Sequence, residues 1–466
     1  MQSPRSEWSI ITVLVVVEVI SALEASMVIA ATPTFMRIFD ADTATVSWTY
    51  TAFLLVAAAS AAICGRLGDM FGRERVLIVL LAVSVVGSLV SMLSSSLWGI
   101  VAGRAIQGVA GAILPLCIGL ARQHVDRRRV PVAVALVSGA AVAAGAAALI
   151  VAGLFLDYLS WHAMFAFTAV YSVVAAVLVA FVVPRSTVDH PRTGLDWVGT
   201  CTFAPAIAAT LLGLTLAKSL GWTDARIVAL IVGGVVALAA WAGWELRHPD
   251  PIVNLRLLTD HKVALTMAAT CALAIGPLGI TSMVFAIVLQ SPTTAPFGLG
   301  LTPTVAGFVV FVTSAGAYLC APLSGRVAQS FGARRSLLIG TALFAVSAVL
   351  MVAMHDSVLG MLFVVASAAI GTAFAYTALP ILLVEAVPEA NTSEVVGTNA
   401  VVRTASMAIG VAIGMLVLSV STVPETGAPT VVSLDLVAGY IVLACLATAA
   451  VALRIPKGAV HSPSVR

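Results

Sequence analysis

Glu24 lies in the stretch SALEASMVIAATP, residues 21–33, among neighbours that are almost all apolar, and Glu18 precedes it by six residues. Arg104 lies in a second apolar stretch, VAGRAIQGVAGA, residues 101–112. An acid that moves between wet and dry surroundings takes up and releases a proton, and a guanidinium nearby helps decide when it does so. Glu24, Arg104 and Glu18 are therefore the residues through which this chain could couple to protons. A charge at the centre of a bilayer costs about 2.5 to 3.5 kcal/mol on insertion scales, so such a group persists where it has a partner or a task. A static ion pair that orients two helices is the competing reading of Glu24 and Arg104. Six residues is about 600° of helix, so Glu18 points about 120° away from Glu24. Glu18 either lines the inner half of a pathway or hydrogen-bonds to a neighbouring helix.

Composition supplies the membrane these residues need. Hydrophobic residues fill 61% of the 466 positions and charged ones 10%, against about 25% charged in a soluble domain. Apolar runs of roughly 18 or more residues recur along the chain, each long enough to cross a bilayer as a helix. Cutting at charged, Pro-rich and Gly-rich breaks gives about fourteen spans, from 8–31 to 434–453. The first is too long and too polar at its centre for a cleaved signal peptide, so it is expected to be retained. The fold class is an all-α polytopic membrane protein. Its six cysteines show no metal-ligand spacing, and neither a disulfide nor a metal is expected. There is no HExxH, no GxSxG, no Walker-type phosphate loop and no sizeable soluble segment, which argues against an enzyme or an ATP-driven machine. The expectation is a chain with no cofactor, energised by a proton gradient, with the lipid bilayer as its surroundings. Neither nucleic acid nor an obligate protein partner is indicated.

Of the 24 Lys and Arg residues, 19 fall on one side of the fourteen-span map, three on the other, and Arg104 and Arg403 fall within spans. By the positive-inside rule both termini are cytoplasmic. Glu24 and Arg104 then each lie about seven residues, or roughly 10 Å, from the external end of their spans. Arginine outnumbers lysine 21 to 3 in a chain rich in Ala, Val and Gly, which points to a bacterial plasma membrane.

Two loops share a frame: GRLGDMFGRERVLI at 65–78 and GRVAQSFGARRSLLI at 325–339, offset by 260. Each follows the second span of a six-span group. The expected organisation is an N-terminal six-helix bundle over 1–183, a linker with two additional spans over 184–261, and a C-terminal bundle with its tail over 262–466. Repeats of this kind build transporters, with the substrate site near the midplane.

The first loop resembles the signature G-x-L-x-D-x-x-G-R of the major facilitator superfamily, through Gly65, Leu67, Asp69, Gly72 and Arg73. Residues Arg104, Gln107 and Gly108 match its fourth-span R-x-x-Q-G. LEASMVIAATP and VSWTYTAFLL resemble first- and second-span motifs of the fourteen-span drug:proton antiporter branch. The resemblance implies two six-helix bundles plus two inserted helices, and export of small hydrophobic or amphipathic compounds against protons. Glu24 stands where that branch carries Asp. Ala148 and Leu149 stand where its fifth-span motif carries Gly-Pro, so a kink is missing. That absence keeps open a symporter or facilitator for uptake of a metabolite.

Within the resemblance, Gly65, Asp69, Gly72, Arg73, Arg75 and Asp126, with Gly325, Gly332 and Arg334 of the second copy, form a cytoplasmic gating motif. Asp69 is expected to approach a helix N-terminus in the other half, and Arg73 to pair with Asp126. Gln329 replaces Asp69 in the second copy, so the latch is expected to be asymmetric. The alternative is that these arginines only set topology. Trp48, Tyr50, Gln107, Gln290 and Tyr376 are substrate-pathway candidates, though packing or the interfacial belt is the weightier reading of each. Arg403 is expected to snorkel or to meet Glu394, and Gly276-Pro277 to bend the ninth span.

Overall fold

The computed structural model describes residues 6–41, 43–186, 196–221, 224–248, 251, 255–291, 293, 297–421 and 429–456. Arg5, Arg192, Lys457 and Arg466, which contribute to the charge bias, lie outside the described residues. All regular elements are helices: α1 (Glu7–Phe39), α2 (Thr43–Phe71), α3 (Arg73–Leu93), α4 (Leu97–Gln107), α5 (Ile113–His124), α6 (Val130–Tyr158), α7 (Trp161–Val182), α8 (Trp197–Leu220), α9 (Ala225–Glu245), α10 (His261–Leu273), α11 (Gly279–Gln290), α12 (Pro303–Phe331), α13 (Ala333–Met354), α14 (Val358–Ala386), α15 (Thr392–Leu418) and α16 (Val431–Arg454). Thirteen helical stretches among the described residues are long and apolar enough to cross a membrane, and α8 carries a shorter apolar run at Cys201–Thr210.

Two sequence spans contain more than one helix. α4 and α5 are joined by a 3-10 turn at Gly108–Ala112. There Ser60 donates to the Gly108 carbonyl at 3.2 Å and Ser21 to the Ala110 carbonyl at 3.0 Å. These bonds satisfy carbonyls at the turn and tie α1 and α2 to it. α10 and α11 are joined by a π turn at Ala274–Leu278, where Gly276 leaves helical geometry just before Pro277, which is the bend expected there. α6 runs unbroken through Ala148, in keeping with its missing Gly-Pro. α1 continues well past its apolar run because Phe35 and Phe39 pack on Trp161 of α7, at 5.7 and 6.1 Å between ring centroids.

Helix starts follow their capping residues. Ser96, Ser160, Asp224, Asp260 and Thr302 each accept from a backbone N–H in the first turn that follows. The α2–α3 and α12–α13 joints turn on Gly72 and Gly332, at φ +99° and +90°, a region L side chains avoid. The repeated loops thus share a backbone conformation as well as a sequence.

The chain forms two compact units. The first holds residues 1–133, 140–259 and 387–401. In it α3 packs on α4 and α7, α2 on α4, and α1 on α7, while α8 packs on α9 and α2. The second holds residues 134–139, 260–386 and 402–466. Here α13 packs on α14 and α16, α12 on α14, and α10 on α16, repeating the pairings of the first.

Candidate functional site

Glu24 is 1% exposed. Its Oε1 accepts from Ser84 of α3 at 2.5 Å and from Ser172 of α7 at 3.5 Å. Its Oε2 is buried with no hydrogen-bond partner. Arg104, also 1% exposed, donates from Nε to the Thr49 carbonyl at 3.1 Å and from Nη1 to Gln107 at 2.8 Å. Its guanidinium lies over Phe53, 4.4 Å from the ring centroid, and its Nη2 is buried and unpartnered. Gln107 passes the network on, donating to Ser88 at 2.7 Å, and Ser88 shares a 3.1 Å bond with Thr168. Close backbone contact allows this: a Cβ on Gly87 would come within 2.7 Å of the Gln107 nitrogen and the Gly103 oxygen.

The expected Glu24–Arg104 ion pair therefore does not form. The guanidinium stays within electrostatic range of the carboxylate, but its donors go to Thr49 and Gln107, while hydroxyls of α3 and α7 take the carboxylate. What results is one acid oxygen and one guanidinium nitrogen of opposite charge, both sealed and both unmet. An unmet buried atom of this kind is costly, so these two atoms are the incompletely satisfied points of the network. Sequence reasoning missed Ser84, Ser88, Thr168 and Ser172. Their signal is hydroxyls four residues apart on two apolar spans. Glu18 is buried and lies within electrostatic reach of Cys117 on α5.

Of the pathway candidates, Gln107 belongs to this network, and half-buried Tyr50 packs against the apolar cluster of Leu23, Met27 and Phe35. Trp48 is half-buried on α2. In the second unit Gln290 is exposed at the end of α11, and Tyr376 lies under Arg403 with the guanidinium 4.5 Å from its ring centroid. The expected Arg403–Glu394 contact is absent because Arg66 takes the Glu394 carboxylate at 2.9 Å.

A second cluster gathers the loop motif within the first unit. Arg73 donates from Nε to Asp69 at 2.8 Å, from Nη1 to the Gly119 carbonyl at 3.1 Å, and from Nη2 to the Glu389 carbonyl. The expected Arg73–Asp126 pair is not made. Asp69 is one helical turn before Arg73, whereas Asp126 is exposed and accepts from the Arg128 backbone at 2.7 Å. The second oxygen of Asp69 accepts from the Glu394 backbone at 2.9 Å, so Asp69 caps the start of α15. Arg122 donates to Thr392 at 2.7 Å and to the Val387 carbonyl at 2.9 Å. Three arginines, Arg66, Arg73 and Arg122, thus hold the 387–401 segment. Gly65 permits its approach, since a Cβ there would lie 2.6 Å from the Ser393 oxygen. Arg75 is exposed. In the second copy Gly325 is buried, Gln329 is exposed, and Arg334 donates to the Ile455 carbonyl at 3.1 Å.

Two units of matched helix pairing, spanning a membrane many times and enclosing ionisable groups, define a polytopic protein with transporter architecture. The chain belongs to the Major Facilitator Superfamily, whose family model matches residues 14–289 and 271–464. It is 26% identical over 341 residues to the Tetracenomycin C resistance and export protein of Streptomyces glaucescens, covering 73% of this chain and 62% of that protein. It is 27% identical to the Uridine/deoxyuridine transporter of Lactococcus lactis subsp. cremoris, covering 71% and 70%. To a Multidrug resistance protein B homolog of Mycobacterium tuberculosis it is 24% identical, covering 72% and 61%. The match thus spans under two thirds of the length of two of these three relatives. The proton:xylose symporter XylE shares the fold, with a TM-score of 0.65 at 14% identity over 97% of this chain and 96% of that one. The human organic anion transporter MFSD10 also scores 0.65, at 14% identity over 96% of this chain and 100% of that one. The family and the relatives named here are transporters, not enzymes, and this chain is a member of that family built of membrane-spanning helices.

Proposed function

We propose that the chain is a proton-coupled exporter of small hydrophobic or amphipathic compounds, of the fourteen-span drug:proton antiporter kind, working by alternating access. The observation that carries this reading is the sealed Glu24 carboxylate with one unmet oxygen, held by hydroxyls within range of Arg104. A proton on Oε2 neutralises the acid in its dry site. Its loss leaves an anion that Ser84, Ser172 and the field of Arg104 stabilise, and that a substrate can exploit. The bundles 1–183 and 262–466 would be the moving bodies, in a bacterial plasma membrane with both termini cytoplasmic. The hold of Arg66, Arg73 and Arg122 on 387–401 would then be a latch for one facing state. Relatives named for tetracenomycin export and multidrug resistance favour the outward direction.

Uptake is the second reading, favoured by the unbroken α6 at Ala148 and by the relative named as a uridine/deoxyuridine transporter. Cells expressing the chain should accumulate less of a lipophilic dye and of tetracycline-like drugs than control cells, and everted vesicles should lose an imposed proton gradient when such a compound is added. Higher accumulation of uridine, with no gradient loss on drug addition, would select uptake.

A further inference from the structure

Arg403 stands eleven residues past the start of α15, about 17 Å along the helix axis, deep in a span of the second unit. It is half-buried rather than sealed. Its guanidinium stacks on Tyr376 of α14, and among the described residues it makes no hydrogen bond and no ion pair. Stacking occupies one face of the planar group and leaves the N–H donors on its edge open. The same face of α15 continues through Met407, Gly410 and Gly414, at helical spacing. That face packs on the broken α10–α11 helix: a Cβ on Gly279 would lie 2.9 Å from the Met407 oxygen, and one on Gly410 2.0 Å from the Ile275 oxygen. At the break, Tyr440 donates to the Ile275 carbonyl at 2.5 Å. A lone cation at mid-depth, on the face that meets a discontinuous helix, has the makings of an anion subsite.

We infer that Arg403, backed by Tyr376, binds the carboxylate of an amphipathic substrate, so that the transported compounds include lipophilic organic acids. This rests on the reading of the chain as a carrier of amphipathic compounds and adds a charge requirement to it. The edge of a guanidinium takes a carboxylate through two parallel N–H bonds, a geometry a lysine cannot copy. At this depth the acid's apolar body lies along Tyr376 while its charge meets Arg403.

The test uses the full chain in phosphatidylcholine nanodiscs, with 1-pyrenebutyrate and its neutral methyl ester as probes. The acid should bind roughly tenfold or more tightly than the ester, a difference of about 1.4 kcal/mol. Arg403→Gln should erase that advantage while ester binding stays unchanged, which also reports a folded protein. Arg403→Lys should keep part of it. Equal affinity for acid and ester in the native chain, failure of the acid to bind, or equal loss of both probes in Arg403→Gln with ester binding kept in Arg403→Lys would overturn the inference. So would loss of the acid's advantage on adding phosphatidylglycerol, which would make a lipid headgroup the occupant. In proteoliposomes, movement of the acid that Arg403→Gln leaves unchanged would sink this site and leave the carrier reading intact; movement of neither probe would sink that reading as well.

Discussion

At the scale of single residues, the sealed network stands or falls on geometry more than on charge. Arg104 serves two acceptors on different helices, Thr49 and Gln107. Lysine keeps the charge but lacks the fork. Arg104→Lys should therefore lose about 1.5 to 3 kcal/mol, the worth of a buried bond to a charged group, measured by thermal unfolding in detergent. Arg75→Lys, at an exposed position, should stay within about 0.5 kcal/mol. Glu24, Arg104 and Gln107 were legible in the sequence because polar side chains stand out in apolar helices. Ser84, Ser88, Thr168 and Ser172 were not, because serine and threonine are also ordinary small residues of packed membrane helices. The partner of Arg104 was misread for a related reason. Two charges at the same depth suggest an ion pair, yet which donors meet which acceptors depends on helix rotations of a few degrees and on carbonyls that no side-chain pattern announces.

At the scale of elements, the joints and the docked segment carry the argument. Gly72 and Gly332 hold left-handed backbone at matching places, so alanine at either should cost about 1 to 2 kcal/mol, read as a drop in unfolding midpoint. The buried Arg66–Glu394 pair makes a sharper prediction. Glu394→Gln strands a buried guanidinium and should cost about 3 to 5 kcal/mol, whereas the apolar double variant Arg66→Met, Glu394→Leu should recover most of that. Chemical denaturation of the purified chain checks both. The spans were readable from apolar length, and a bend in the ninth from Gly276-Pro277, though not its π form. The 3-10 turn at Gly108–Ala112 had no proline to mark it. Nor could local pattern tell that residues 387–401 belong with the first unit. That depends on contacts more than 300 residues apart in sequence, such as Asp69 with the start of α15.

At the scale of the whole molecule, the duplicated loops of the sequence reappear as duplicated helix pairings, and the family match covers nearly the full chain. In the proposed alternating access duplication would supply the two bodies, but coupling needs a group whose proton and whose partners change together. Glu24 is the group proposed for that task. The most direct test reconstitutes the native chain and Glu24→Gln in proteoliposomes and compares two modes of transport for one lipophilic substrate. The native chain should drive uphill accumulation from an imposed proton gradient and also exchange labelled for unlabelled substrate. Glu24→Gln should keep the exchange and lose the uphill accumulation. If Glu24→Gln still accumulates substrate uphill at the native level, Glu24 is not the coupling carboxylate and the account is wrong at its centre.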